Sequence, residues 1–290
     1  MRTKKRTNIK KTLAFILAVI IVFSSTVSDT FGVRAAGTGK ASKKYIIDSY
    51  GAISAVKDGK YIYYTGIYQN FMRYDTKTRR LEKIAELQNI PGGNGYWTNG
   101  GSNLVKHGKF FYFVWDKSEG YETDYYIYRV SKTGEMTNLA KGKEFIIKNN
   151  RIYYTKMNHT SDYREEISEE TYSMALNGSD KKKEAGIKLV TTRRAEVKSK
   201  YGTLVGKNYG YPGDLRTSKK LILKEKSGKT RVVKNTGYSN CIMTYMMVDD
   251  YIVYAYHVGS GLNARRKIAF EKYNGTETKV FTIGSPASKF

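Results

Sequence analysis

The chain repeats one aromatic phrase, and that repeat limits what it can fold into. Lys60-Tyr-Ile-Tyr-Tyr64, Lys109-Phe-Phe-Tyr-Phe113, Arg151-Ile-Tyr-Tyr154 and Tyr251-Ile-Val-Tyr254 are variants of it. A turn phrase travels with it, as Ser131-Lys-Thr-Gly134, Asn177-Gly-Ser-Asp180, Lys226-Ser-Gly-Lys229 and Asn274-Gly-Thr-Glu277. The unit occurs about five times at a spacing of roughly 41 to 50 residues, the period of stacked or radial arrays whose units bury their faces on one another.

Each unit divides into four strands. In the first, Ala52 to Lys57, Tyr61 to Thr65, Phe71 to Asp75 and Arg80 to Ala85 are strands a to d, with Asp58-Gly59 as a hairpin signal between a and b. Strand b is apolar on both faces, which suits a sheet sandwiched between two others. Strand d alternates apolar and charged residues, as in Arg80-Leu81-Glu82-Lys83-Ile84, and charge on an outermost strand keeps an open edge from pairing with other molecules. Radially repeated four-stranded antiparallel sheets satisfy both patterns. The expected fold is therefore all-β, a β-propeller of most plausibly five blades. Six are possible if the weakly patterned fourth region hides a half unit. Tyr45 to Ile47 is placed as a strand able to close the ring on the last blade.

The phrase Asp-Gly, aromatic-Ile-Tyr-Tyr, then a strand leading to Asp-x-x-Thr/Gly, resembles the propeller repeats of secreted bacterial proteins. It is distantly similar to the YWTD propellers of the lipoprotein-receptor type and to TolB-type propellers. The YWTD tetrapeptide itself is absent, with Tyr63-Tyr-Thr65 and Tyr153-Tyr-Thr155 its nearest echoes. The resemblance implies a fold and carries over no ligand-binding residue.

The N-terminus reads as a secretory signal. Arg2, Lys4, Lys5, Arg6, Lys10 and Lys11 precede the apolar run Leu13 to Phe23, and Val33-Arg-Ala35 offers a cleavage site. Eleven apolar residues are short against the roughly 20 that span a bilayer. The expected organisation is a signal peptide over 1–35, a flexible segment over 36–44 and one propeller over 45–290. After signal removal no transmembrane segment is expected. The product would be secreted or wall-associated, and monomeric. Cys241, the single cysteine, lies in an apolar run and reads as a small buried hydrophobe.

The chain carries a formal charge of +25. Removing residues 1–35, with seven Lys/Arg and one Asp, leaves about +19. Such an excess attracts polyanions over roughly 8–10 Å. Outside a cell these are anionic wall polymers, acidic polysaccharide, lipid headgroups or free nucleic acid, with no specific nucleic-acid partner expected.

Extra length falls on one side of the repeats. The a–b and c–d turns are short, whereas Gly66–Asn70, Asp116–Asp124, Met157–Glu170, Lys207–Lys219 and His257–Lys267 are inserts between b and c. The connector Gln88 to Ser102 joins them with Tyr96-Trp97 among glycines. Loops on a rigid scaffold are the usual carriers of function. The candidate ligand-binding residues are Tyr96, Trp97, Tyr121, Tyr163 and Tyr211 for stacking, and Arg265 and Arg266 for charge. The inserts also gather acid (Asp116, Glu119, Glu122, Asp124; Asp162, Glu165, Glu166, Glu169, Glu170), read either as a polarised face or as solvated loops paired to lysines.

His107, His159 and His257 are isolated and show no zinc spacing. No nucleophile elbow or phosphate-binding loop is present. No metal, cofactor or catalytic residue is therefore assigned, and the chain reads as a non-catalytic binding propeller for an extracellular polyanion, glycan or protein. The alternatives are a glycan-cleaving enzyme using paired carboxylates, for which Asp48 and Glu196 are the inner-strand candidates, and an assembly propeller with a protein partner. Trp97→Ala is expected to weaken polymer binding and leave the thermal midpoint nearly unchanged. A large fall in midpoint would make Trp97 a core residue.

Overall fold

The aromatic phrases become the second strands of antiparallel sheets. The computed structural model describes residues 43–49, 54–65, 70–86, 102–119, 122–159, 166–193, 196–207, 218–236, 241–259 and 265–283. Every helix or strand element among them is a strand. The first sheet holds β2 (Ser54–Asp58), β3 (Tyr61–Thr65), β4 (Asn70–Asp75) and β5 (Leu81–Glu86), and the second β6 (Ser102–His107), β7 (Phe110–Glu119), β8 (Glu122–Ser131) and β9 (Met136–Lys141). The third holds β10 (Glu144–Lys148), β11 (Arg151–His159), β12 (Glu166–Ala175) and β13 (Lys182–Lys183). The fourth holds β15 (Glu196–Lys198), β16 (Gly202–Lys207), β17 (Lys220–Glu225) and β18 (Thr230–Asn235). The fifth holds β19 (Ile242–Val248), β20 (Tyr251–Val258), β21 (Arg265–Lys272) and β22 (Thr278–Thr282).

First strands of neighbouring sheets touch one another, β2 with β6, β6 with β10, β15 with β19 and β19 with β2. That is the inner wall of a propeller. The core consists of layers between sheets, and strand alternation assigns each side chain to a layer. Ile62 and Tyr64 pack towards the fifth sheet with Val253 and Phe270, whereas Tyr63 packs towards the second with Phe111 and Phe113. Tyr112 and Val114 turn the other way, onto Phe145 and Ile152 of the third sheet. Ile252 and Tyr254 meet Leu204, Leu221 and Leu223 of the fourth. Burying each such side chain stabilises by about 1.5–3 kcal/mol. Ring pairs as close as Tyr74–Phe270 at 4.1 Å and Tyr63–Phe111 at 4.3 Å add geometry to area.

The turns also repeat. The a–b hairpins open on a left-handed residue: Gly59 (φ 61), Gly108 (φ 59), Asn149 (φ 50) and Asp249 (φ 54). The first turn is thus Gly59-Lys60, one residue later than the Asp58-Gly59 signal implied, because Asp58 still pairs with Tyr61. In the c–d turns, side-chain oxygens of Asp75, Ser131, Asn177 and Asn274 accept backbone amides two to four residues on.

A sixth, smaller sheet stands between the third and fourth along the chain. β1 (Lys43–Ser49) pairs in parallel with β14 (Ile187–Arg193), from Lys43↔Ile187 to Ser49↔Arg193. This corrects the placement of Tyr45 to Ile47 on the last blade. Leu189 is buried in β14, and β1 sends Tyr45 and Ile47 inward while Ile46 stays exposed. The Tyr45 ring lies 5.5 Å from Tyr153 of the third sheet. The half unit foreseen as a sixth blade therefore exists, built from the chain's first strand and a mid-chain strand. Cys241, expected to be buried, is only partly so, because it precedes β19.

The c–d turns of the second, third and fifth sheets sit over the outermost strand of the preceding sheet. A Cβ on Gly134 (φ 94) would fall 2.2 Å from the Ile84 carbonyl oxygen, and one on Gly178 would meet Leu139. Gly228 (φ 87) faces open space. Gly228→Ala is expected to cost about 1 kcal/mol, from its left-handed backbone alone. Gly134→Ala is expected to cost about 2 kcal/mol more, because the neighbouring sheet must move. Chemical denaturation of both variants checks this, and equal losses would remove the close approach from the account.

Candidate functional site

Strand alternation sends the a–b and c–d turns to one end of the propeller and the b–c and d–a connections to the other. At the turn end, charged groups join adjacent sheets. Lys57 Nζ lies 2.8 Å from both Asp249 Oδ2 and Asp250 Oδ1, and Lys200 reaches Asp249 at 3.1 Å. Asp58 receives Lys106 at 2.9 Å and also Lys132. Arg79 reaches Glu277 at 3.1 Å, and His107 Nε2 lies 3.0 Å from Asn150 Oδ1. These contacts link the fourth sheet to the fifth, the fifth to the first, the first to the second and the second to the third. Lys57 and then Lys200 hold the Asp249 carboxyl below its usual range, and Lys132 with Lys106 does the same for Asp58. Such partly exposed pairs are worth about 1 kcal/mol or less each, so they set register more than stability.

One latch is buried. Arg231 Nη1 lies 2.5 Å from Glu271 Oε1, Arg231 Nη2 donates to the Tyr273 carbonyl, and Tyr254 Oη donates to Glu271 Oε2 at 3.2 Å. Glu271 is only 4% exposed. Burial, followed by the Glu271 charge, drives the Tyr254 phenol far above its ordinary value. Sequence reasoning passed over Glu271, because a lone Glu at the end of a strand carries no local signal of a partner in another sheet.

At the opposite end, two inserts prove to be strand. β7 and β8 continue pairing as far as Glu119↔Glu122, and β11 and β12 as far as His159↔Glu166. Asp116–Asp124 and Met157–Glu170 were expected as loops, because Asp, Glu, Lys and Ser are poor strand formers, but once the hairpin is under way its ladder extends through them. Three of the acids there are paired. Asp124 pairs with Lys141 at 2.5 Å, Glu169 with Lys143 at 3.7 Å, and Glu170 with Lys183. Of the two readings of these acids, the paired one describes Asp124, Glu169 and Glu170.

Tyr96, Trp97, Tyr121, Tyr163 and Tyr211 lie outside the described residues. Arg265 and Arg266 open β21. Arg265 is exposed and stands opposite Val258, whereas Arg266 is half-buried and its Nε donates to His257 Nε2 at 2.9 Å. The pair therefore does not act as a unit: one cation faces solvent and the other holds a histidine. Asp48 and Glu196 are exposed and stand on different sheets, Asp48 on β1 opposite Thr192 and Glu196 on β15 opposite Val205. Among the described residues no three His, Cys, Asp or Glu side chains converge as a metal site would require.

No protein-family model and no curated protein matches the sequence. Solved structures of similar fold include a Cellvibrio cellulosa alpha-L-arabinanase, 9% identical, with 80% of this chain and 95% of that one covered at a TM-score of 0.38. An aldose sugar dehydrogenase from Streptomyces coelicolor is 13% identical over 86% of this chain and 84% of that one, TM-score 0.29. An oligogalacturonate lyase is 11% identical over 81% of this chain, TM-score 0.29, and the chain spans 52% of its length. The chain spans 27% of the tricorn protease, which it also resembles. The propeller assignment rests on the sheet order itself, with which these structures agree. Against the expectation of a non-catalytic chain, these structures of similar fold carry the names of enzymes.

His257 supplies a pH-dependent test. Burial, and then the Arg266 charge, lower its pKa from the ordinary 6.5. The fold thus favours the neutral ring, which accepts from Arg266. Its contribution is complete above the unfolded value of about 6.5 and is lost as pH falls through the lower folded value. The thermal midpoint is expected to fall between about pH 7 and 5, and His257→Gln to flatten that part of the profile. An unchanged slope in the variant would show that other groups carry it.

Proposed function

We propose that this chain is an exported propeller that engages an anionic extracellular glycan or cell-wall polymer, with its fourth sheet as the main contact surface. The carrying observation is where the charge lies. Residues 196–236 contain eleven Lys/Arg and three Asp/Glu, whereas residues 54–86 hold seven and four, and residues 241–283 five and four. Lys198, Lys224, Lys226 and Lys229 are exposed. Their charge belongs to strand ends and turns of a rigid sheet, so little ordering is lost when a polymer docks. Fields of this kind raise the local concentration of polyanions and fade with added salt. Export to meet such a polymer is supported by the basic start and apolar run within residues 1–35.

The test is co-sedimentation of the purified chain with insoluble cell-wall material from low to moderate salt. Its control is the same material stripped of its anionic polymer. Binding is expected at low salt, to collapse as the screening length shortens from about 30 Å towards 8 Å, and to be absent from the stripped material. Replacing Lys224, Lys226 and Lys229 together by Gln is expected to reduce binding about tenfold while the thermal midpoint holds. Release of reducing ends in the same tubes reads cleavage of the bound glycan. Binding that ignores salt, or none at any salt, overturns the proposal.

A further inference from the structure

The turn end of the propeller carries a groove of about 570 Å³ between the second and third sheets. One wall is the β6–β7 hairpin turn with His107, Lys109 and Phe110. The other is built from Asn150 of the β10–β11 turn and from Leu176 and Asn177 after β12. Tyr112 closes the floor, donating to the Leu176 carbonyl at 3.3 Å. This volume lies within the usual range of small-ligand sites, roughly 300–1,000 Å³.

The groove differs in its charge from the other sheet junctions at this end. At those junctions Lys57, Lys106, Lys132, Arg79 and Lys200 are matched to carboxylates. No Asp or Glu lines the groove. Among the described residues Lys109 meets the Phe110 ring, with Nζ 5.3 Å from its centroid, and no carboxylate. Arg129 has the same ring at 4.4 Å and a long contact to Thr137 Oγ1 at 3.5 Å. Arg129 lines the groove together with Tyr112, and its charge opposes the rise that burial gives the Tyr112 phenol. One aromatic ring thus holds two cations in place before any ligand arrives, which reduces the ordering cost of binding an anion.

We propose that this groove is a subsite for the oxyanion of one sugar unit, a hexuronate carboxylate or a sugar phosphate, held by Lys109 and Arg129. That the anion is carried on a sugar rests on the glycan reading above. The guanidinium offers two parallel donors and the ammonium a point charge. Leu176 and the Phe110 edge present apolar surface to the sugar's C–H face. The Asn150 Oδ1 accepts from His107 Nε2, and the Asn177 Oδ1 is taken by Ser179, so both amide nitrogens are left to donate to hydroxyls.

Calorimetry of the purified chain at low salt, with trigalacturonate, mannose 6-phosphate and neutral maltotriose as separate probes, tests this. At least one anionic probe is expected to bind and maltotriose not to, and the responding probe distinguishes carboxylate from phosphate. Lys109→Gln and Arg129→Gln are each expected to weaken binding about fivefold or more. Lys279→Gln, at an exposed lysine on β22, is expected to leave it within about twofold. An equal loss in Lys279→Gln would assign the binding to the general field and overturn the subsite. Failure of both anionic probes while wall polymer still sediments also overturns the subsite and leaves the glycan reading standing. Failure of probes and polymer together overturns both.

Discussion

Side-to-side packing of sheets through strands that are apolar on both faces is the constraint on which the structure depends. A strand with one wet face needs one partner layer; β3, β7 and β20 need two. Tyr63 faces the second sheet while Ile62 and Tyr64 face the fifth, and no two-layer sandwich offers both contacts to one strand. Repetition of that demand around an axis produces a propeller. It also explains why charge gathers on the outermost strands, where β5, β18 and β22 have only one neighbour and an edge open to water.

The polar groups then adjust the register that the core requires. Lys57, Asp58, Asp249 and Asp250 leave their hairpins at the level where neighbouring sheets meet, and their pairing ties the fifth sheet to the first and the first to the second. Glu271 does the same from within, between the fourth and fifth sheets. The c–d turns overlap the preceding sheet so closely that Gly134 has no room for a side chain. The junction after the third sheet is built differently, with β1 and β14 as a parallel ribbon against it.

This arrangement divides the ionic groups into two populations. Carboxylates are few and most of those described are paired with cations, within a sheet or between sheets, so excess cations remain on the fourth sheet and around the groove beside Phe110. The first population fixes strands and sheets to one another, and the second is what a polyanion meets. Asp124, Glu169 and Glu170 of the hairpin arms belong to the first population, since each is paired with lysine.

Strand positions were legible because both the aromatic phrase and the turn phrase are local. Tyr61–Thr65 was placed to the residue, and the fourth sheet emerged where the phrase was blurred, between Glu196 and Asn235. The hairpin arms were not legible, because a ladder overrides the weak propensities of Asp116 to Glu119 once it has begun. The site was less legible than the fold. Arg265 and Arg266 look equivalent in sequence and differ in the structure, one facing water and one bonded to His257. Local pattern thus determined the repeat, its four strands, its turns and the excess of positive charge. Only the tertiary structure decided that β1 pairs with β14, that Glu271 is neutralised by Arg231, and that Lys109 and Arg129 share one ring without a carboxylate. Apart from Lys109 on its neighbour Phe110, those contacts join residues 19 to 144 positions apart, and no periodicity within a strand encodes which distant side chain it will meet.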